Sequence, residues 1–155
     1  MRPRAAAAAL SVAACALGAS LVGAPASAAS KYNWDAIGVA FCQATLSGDM
    51  AAIRPLITDS LAQNIEAAAA AGNPAMPPSR VLFQTYVNVV PGCEVQTRNA
   101  ALVEIRRSQP GGPAWSEYLV IVPEIDGGSR IDDVLFATRK SDTLRSRLAQ
   151  YAGNG

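Results

Sequence analysis

Two adjacent carboxylates, Asp132 and Asp133, offer the clearest candidate chemistry in this sequence, within the run RIDDVLF at 130–136. Neighbouring side chains on a regular strand point to opposite faces, and apolar residues occupy both faces of this run. At least one carboxylate is therefore expected among buried neighbours. Without a partner its pKa would be raised and it could act as an acid or base, whereas an arginine would keep it charged and structural. The pattern favours the structural role. Candidate partners are Arg98, Arg130 and Arg139.

Other reaction chemistries lack the residues that they require. The chain contains no histidine, so a serine or cysteine nucleophile has no imidazole base. The glycine pairs Gly111-Gly112 and Gly127-Gly128 are typical of hairpin loops, because no helix follows that could hold a phosphate. Trp34 and Trp115 are better explained as anchors in the core or sheet than as ligand platforms. We therefore predict no catalytic residue set, no cofactor and no metal site.

The first 28 residues have the layout of a cleavable secretory signal. Arg2 and Arg4 are followed by an apolar stretch, and Ala26-Ser27-Ala28 fits the small-residue cleavage pattern. Cleavage after Ala26 fits this pattern nearly as well. The alternatives are a retained membrane anchor and a lipoprotein cleaved at segment 12–15, VAAC. The sequence thus predicts a leader over 1–28, a single exported domain over 29–155, and a periplasmic or secreted location.

The charge pattern argues against two classes of partner. The chain has 13 Lys+Arg and 12 Asp+Glu, and Arg2 and Arg4 leave with the predicted leader, so the domain has a net charge of −1. No long run of one sign is present, and both nucleic-acid binders and proteins that bind anionic membranes need a positive patch. We expect neither nucleic-acid binding nor stable membrane insertion.

Cys42 and Cys93 remain in the predicted domain, an even number in a compartment that permits oxidation. We interpret them as one disulfide, and two independent buried thiols are the alternative. In the chain-entropy model a bridge across about 50 residues contributes about 4 kcal/mol, which is a large share of the stability of a small domain.

The first half of the predicted domain is helical, because apolar residues recur there every three or four positions between capping residues. Predicted helices span 34–46 with Asn33 as cap, 50–57 capped by Ser47-Gly48-Asp49 and interrupted by Pro55, 61–71 with Thr58 at its start, and 143–151 after Ser141-Asp142. Beyond the proline-rich loop 74–79 the residues change toward β-formers. Predicted strands span 81–89, 94–99, 101–107, 115–123 and 130–138.

Two details of the strand pattern indicate how the sheet is arranged. Tyr118 to Val122 is apolar at every position, which is typical of a strand that is central in a sheet or covered on both faces. Strand alternation requires one member of Arg106-Arg107 to be solvated. Helices followed by antiparallel strands predict an α+β fold, with N-terminal helices on one face of a curved antiparallel sheet and a short C-terminal helix.

This order of elements resembles the nuclear-transport-factor-2-like superfamily, in which a curved sheet forms a cone around a pocket. One basis for the resemblance is the first helix with its Ser47-Gly48-Asp49 turn and the short helix that follows. The other is the closing strand pair, 115–122 and 130–136, joined by Asp126-Gly127-Gly128. The chain looks most similar to small exported bacterial members with no assigned activity. The helix after the last strand departs from the commonest version of the fold.

The resemblance implies a fold that hosts isomerases, dehydratases, assembly modules and binders, so the fold alone selects no activity. Ketosteroid isomerase, which has this fold, uses a pocket aspartate as base beside an oxyanion hole that contains a tyrosine. The matching residues here would be Asp132 or Asp133 with Tyr86 or Tyr118. An isomerase or dehydratase using such an Asp–Tyr pair in the cone is therefore the alternative hypothesis.

The favoured hypothesis is an exported, non-catalytic domain that binds a small apolar ligand or a protein partner, with an envelope immunity or inhibitor protein as one subclass. The missing histidine, the missing catalytic set and the near-neutral charge favour it. A deep pocket holding an aspartate and a tyrosine within hydrogen-bond distance would favour the enzyme instead. The sequence identifies neither ligand nor partner, and it leaves a homodimer open.

Overall fold

The computed structural model describes residues 34–88, 91–99 and 101–153 and shows an α+β fold. The predicted leader, segment 12–15 and Asn33 lie outside the described residues. The helical elements are α1 (Trp34–Ser47), α2 (Met50–Ile53), a 3₁₀ turn (Arg54–Leu56), α3 (Asp59–Ala70), α4 (Ser79–Leu82) and α5 (Leu144–Gly153). None of these helices is long and apolar enough to cross a membrane.

Side-chain caps fix the starts of α2 and α3. The Asp49 carboxylate accepts a hydrogen bond from the Ala52 amide, and the Thr58 hydroxyl accepts one from the Leu61 amide. Both caps satisfy amides that a helix leaves without intrahelical partners. Gly48, between α1 and α2, has a φ of 73°, a conformation that favours glycine. The predicted start of α2 and the cap at Thr58 are confirmed, whereas α3 begins at Asp59 rather than at residue 61.

Four antiparallel strands form one open sheet in the order β1-β2-β3-β4. They are β1 (Gly92–Asn99), β2 (Leu102–Ser108), β3 (Trp115–Pro123) and β4 (Ser129–Leu135). Between β3 and β4 the register shifts, because Val120 pairs with Asp133 whereas Ile121 pairs with Ile131. Asp132 is thus the extra residue of a bulge, which re-aims side chains that would otherwise alternate.

The helices pack on one face of the sheet, where a single core cluster joins them to the strands. Leu119 of β3 is fully buried in this core, and the rings of Phe41 and Phe83 meet edge to face at 5.5 Å. Alternation turns the other strand residues to the opposite side, which we call the outer face. The outer face includes Gln96, Arg98, Glu104, Arg106, Ser116, Tyr118, Val120, Val122 and Leu135.

The disulfide prediction is confirmed. Cys42 of α1 and Cys93 of β1 are bonded, with a Cα–Cα distance of 5.8 Å. The bridge attaches α1 to the edge strand of the sheet. Gly38 lies at the same contact, and a Cβ built there would lie 2.5 Å from a methyl group of Val95. The close approach of α1 to β1 therefore requires a glycine at this position.

Several boundaries differ from the predictions, and three of these differences have a clear physical cause. The strand predicted over 81–89 is wrong, because α4 and turns occupy 79–88 and bury Val81, Leu82 and Phe83 together, which a one-sided strand does not. The strand β4 ends at Leu135 rather than 138, since the amide of the next residue donates to the carbonyl of Asp142. At the start of α5 the cap is the Thr143 hydroxyl, which accepts from the Ser146 amide.

Candidate functional site

The Asp132 carboxylate is satisfied by two side chains from distant segments. Its Oδ1 accepts hydrogen bonds from Arg145 Nη2 at 2.6 Å and from the Thr58 hydroxyl at 2.8 Å. The Nε of Arg145 also donates to the backbone carbonyl of Asp132, at 2.8 Å. These contacts fasten the start of α3 and the first turn of α5 to β4. The aspartate therefore has a structural task.

Asp133 is engaged by backbone amides. Its Oδ1 accepts from the amides of Val134 at 2.8 Å and Arg145 at 3.0 Å. The arginine partner of this carboxylate pair is thus Arg145, which the sequence did not indicate. Two of the suggested arginines form other ion pairs, Arg130 with Glu124 and Arg98 with Glu104.

The two candidate tyrosines lie on other elements than these aspartates and have other contacts. Tyr86 is about half exposed and meets the Trp115 ring edge to face, with ring centroids 5.0 Å apart. Tyr118 lies on the outer face of β3, opposite Leu135 on β4. Within the described part of the chain, neither tyrosine hydroxyl donates to Asp132 or Asp133. The structure does not assemble the Asp–Tyr pair.

Tyr118 instead lines an open groove of about 640 Å³, which we call the outer groove. The cross-strand pair Tyr118 and Leu135 forms its floor. The segment after β4, residues 136–142, forms a wall and contributes Arg139 and Lys140. The complete lining is Ser116, Tyr118, Leu135, Phe136, Ala137, Arg139 and Lys140. Its floor is mainly apolar, and cations lie at its edge.

The Asp142 carboxylate holds the wall segment in shape. It accepts from the Arg147 guanidinium at 2.8 and 2.9 Å and from the Thr138 hydroxyl, and the Asp142 amide donates to the Arg139 carbonyl at 3.0 Å. The hydrogen bond from Arg147, with help from Thr138, lowers the pKa of Asp142 despite its partial burial. Among the described residues, Arg139 and Lys140 form no ion pair.

Arg147 joins this wall to the chain that precedes β1. Its Nη1 donates to the Gln84 carbonyl at 2.7 Å and its Nη2 to the Thr85 carbonyl at 3.2 Å. The guanidinium also lies 3.6 Å above the centre of the Phe136 ring, in a cation–π contact. One side chain of α5 therefore connects the groove wall to segment 84–85.

A polar depression adjoins the outer groove at Ser116, which lines both. Here Glu104 is nearly buried and accepts hydrogen bonds from the Ser116 hydroxyl and the Arg98 guanidinium. The Ser116 hydrogen bond is the largest cause that lowers the pKa of Glu104, and Arg98 adds to it against the effect of burial. Glu104, the cross-strand partner of Tyr118, is thus already paired.

A fully buried ion pair lies on the helix-facing side of the sheet. Glu117 accepts from Arg107 Nε at 2.9 Å, from Trp115 Nε1 at 3.1 Å, and from the Thr85 amide. Arg107 is 0% exposed, whereas Arg106 is exposed, as strand alternation predicted. Within the described residues, Nη1 and Nη2 of Arg107 have no hydrogen-bond partner.

Sequence reasoning missed the Arg107–Glu117 pair, although a signal for it was present. Arg107 follows Val103 and Ile105 at steps of two, and Glu117 precedes Leu119 at the same step. Two charges of opposite sign on the core face of neighbouring strands predict a buried pair.

Among the described residues, the geometry shows the outer groove and does not bring an aspartate and a tyrosine together in a reaction centre. No group of three or more His, Cys, Asp or Glu among the described residues could hold a metal ion. What the arrangement offers chemically is an apolar floor beside two cations on an ordered wall. Comparison of the chain with protein-family models, curated proteins and solved structures finds no match.

Proposed function

We propose that this chain is an exported, non-catalytic domain that binds a small apolar ligand in the outer groove. The observation that carries the proposal is the groove floor of Tyr118 and Leu135, on a sheet face opposite the packed core. The volume of about 640 Å³ lies within the range of about 300–1,000 Å³ that small-molecule sites occupy. Groove residues are held by strand pairing and by the Asp142 contacts, so binding requires little ordering of the protein.

The contacts of the aspartates support the non-catalytic part of the proposal. The carboxylates of Asp132 and Asp133 each accept two hydrogen bonds. Through the donors Thr58 and Arg145, these bonds connect the start of α3 and the first turn of α5 to β4. A general acid or base needs an accessible carboxylate and a positioned second group, such as Tyr118. Loss of a proton-exchange activity in Asp132→Asn would support the alternative isomerase or dehydratase.

Export and family form the remaining parts of the proposal. The Cys42–Cys93 bridge is compatible with an oxidising compartment, and the layout of residues 1–28 supports cleavage near Ala28. The helices-first order and the antiparallel meander support a place among nuclear-transport-factor-2-like proteins, with a cone-like curvature of the sheet. Intact mass of exported protein tests the cleavage site, because a chain that keeps Met1 would contradict it.

Ligand binding is tested with Nile red, a neutral apolar dye whose fluorescence rises in apolar surroundings. Leu135→Asn removes apolar floor and should weaken binding at least about tenfold, since burial of a leucine contributes about 1.5–3 kcal/mol. Val122→Asn is the matched control, because Val122 is also half-buried on the outer face but does not line the groove. Equal weakening in both variants, or no dye binding by folded wild type, would refute the groove as the site.

A protein partner is the second candidate, and one observation favours it. Ile125 is fully exposed at the tip of the β3–β4 hairpin. The turn is held by hydrogen bonds between Glu124 and Gly128 and between Asp126 and Gly128. An exposed apolar side chain on an ordered turn suits an interface anchor. An envelope protein that binds wild type but not Ile125→Asp, with Nile red binding unchanged, would support this candidate.

A further inference from the structure

We propose that the ligand of the outer groove is an amphipathic anion, with an apolar chain on Tyr118 and Leu135 and an anionic head group against Arg139 and Lys140. This inference rests on the proposed function and adds the chemical class of the ligand. Both cations are exposed, adjacent in sequence and part of the groove lining. An apolar floor beside unpaired positive charge is complementary to a molecule with one apolar and one negative end.

The charges around the groove support a ligand with an anionic head group. Within the described ranges, neither Arg139 nor Lys140 has a carboxylate within the 4.0 Å of an ion pair. The acids nearby are already engaged. Asp142 is held by Arg147 and Thr138, and Glu104 accepts hydrogen bonds from Arg98 and Ser116. The two cations of the groove lining therefore form no ion pair among the described residues, although the charge of Arg139 also contributes to the lowered pKa of Asp142.

The wall segment also gives the cations a defined position. The Phe136 amide donates to the Asp142 carbonyl at 2.9 Å, and the Asp142 amide returns a bond to the Arg139 carbonyl at 3.0 Å. The Ala137 amide donates to the Thr85 hydroxyl at 3.1 Å. These bonds fix the backbone on both sides of Arg139, so the two cationic side chains extend from an ordered backbone beside the apolar floor.

The first experiment compares three ligands with the same ten-carbon chain: decanoate, decanol and decyltrimethylammonium. Each displaces Nile red from the wild-type protein below its micelle-forming concentration. Decanoate should bind about tenfold more tightly than decanol, which corresponds to about 1.4 kcal/mol, and the cation should bind most weakly. The preference should shrink as salt rises from 0.01 to 1 M, because the Debye length falls from about 30 to about 3 Å.

The outcomes separate this inference from the proposed function. Decanol binding as tightly as decanoate would overturn the anionic head group and leave an apolar-ligand groove intact. If no ten-carbon ligand bound to folded protein, the proposed function and the inference would both fail. A preference for decyltrimethylammonium would overturn the charge argument directly.

A pair of double variants assigns the preference to the two cations. In Arg139→Gln/Lys140→Gln, decanoate should bind no more tightly than decanol, while the affinity for decanol stays at the wild-type value. The control is Arg54→Gln/Arg80→Gln, which removes the same charge from helical elements on the other side of the sheet. It should keep the full preference. If both double variants lost the preference equally, overall charge would explain the effect and the head-group site would be refuted.

Discussion

Replacing Glu117 by glutamine should destabilise the fold far more than removing a surface ion pair of the same length. Glu117 accepts hydrogen bonds from Arg107, Trp115 and the Thr85 amide, and it is the only described partner of the buried Arg107 guanidinium. A glutamine keeps the size of the side chain and removes its charge. Arg107 would then remain charged inside the core without a counter-ion.

The magnitude follows from burial rather than distance. The Arg107–Glu117 pair has a nitrogen–oxygen distance of 2.9 Å and side chains that are 0% and 1% exposed. The Arg54–Asp59 pair has a distance of 2.8 Å, but its side chains are 49% and 77% exposed. Breaking a buried pair from one side costs about 3–5 kcal/mol. Breaking an exposed pair costs about 0–1 kcal/mol.

Urea unfolding, followed by circular dichroism, measures both losses. For Glu117→Gln, a loss of about 4 kcal/mol moves the midpoint down by about 2 M when the m-value is about 2 kcal/mol/M. Asp59→Asn is the matched control and should move the midpoint by about 0.5 M or less. The double variant Arg107→Met/Glu117→Leu should recover part of the loss, because it removes both charges together.

Two results would refute this reasoning. If Glu117→Gln and Asp59→Asn lost stability equally, burial would not control the strength of these pairs. If Arg107→Met/Glu117→Leu were less stable than Glu117→Gln, the uncompensated charge of Arg107 would not be the source of the loss. In that case the amide of Thr85 and the indole of Trp115 would account for it, since both donate to Glu117.

Three further predictions concern the disulfide, the Asp142 carboxylate and Gly38. Cys93→Ser opens a bridge between residues 51 positions apart and should lower the unfolding free energy by about 4 kcal/mol; a loss under about 1 kcal/mol in urea would contradict it. Because Arg147 lowers the pKa of Asp142 below its ordinary value of 3.8, protonation favours the unfolded chain. Stability should therefore fall as the pH drops below about 4, and Asp142→Asn should flatten that fall in a pH series of urea curves; an unchanged slope would argue against it. Gly38→Ala should cost about 1–3 kcal/mol through overpacking against Val95, whereas Gly153→Ala, with nothing within 4 Å of its Cβ, should leave the melting temperature unchanged or slightly higher.

Local signals in the sequence identify most of the elements. Thr58 and Asp49 cap helices where they were expected, and β3 runs from Trp115 to Pro123 as its residue types indicate. The continuous apolar run from Tyr118 to Val122 agrees with the place of β3 between two other strands. These features depend on residues within a few positions of one another, so a single sequence contains them.

The sequence did not predict the features that depend on contacts between segments far apart in the chain. The run Val81 to Phe83 has the composition of a strand, but it packs as a helical turn at the edge of the core. The bulge at Asp132 and its partner Arg145 depend on how β4 meets α5. Only tertiary packing determines these positions, and it overrides residue propensity.

The candidate site likewise combines positions that the sequence indicates with positions that only tertiary contacts determine. Tyr118 was a candidate partner of an aspartate in the pocket of a cone. In the structure it lines the outer groove with Leu135, because strand pairing places them side by side. Arg139 was suggested as a partner of the aspartates, and Lys140 lies beyond the strand predicted over 130–138. Their place in the groove follows from the turn that Asp142 closes, and no spacing rule predicts that turn.

Because Arg147 bonds to segment 84–85 and to Asp142, we expect α5, segment 84–85 and the wall segment to open as one cooperative unit. Detaching α5 breaks its bonds to Gln84, Thr85 and Asp142 in one step. The amide hydrogens of Phe136 and Ala137 should then exchange with solvent at the rate set by this opening, although both lie outside α5. The ligand that we propose for the outer groove should bind the closed form in preference to the opened one. It should therefore slow amide exchange along α5, on a helix that it never touches.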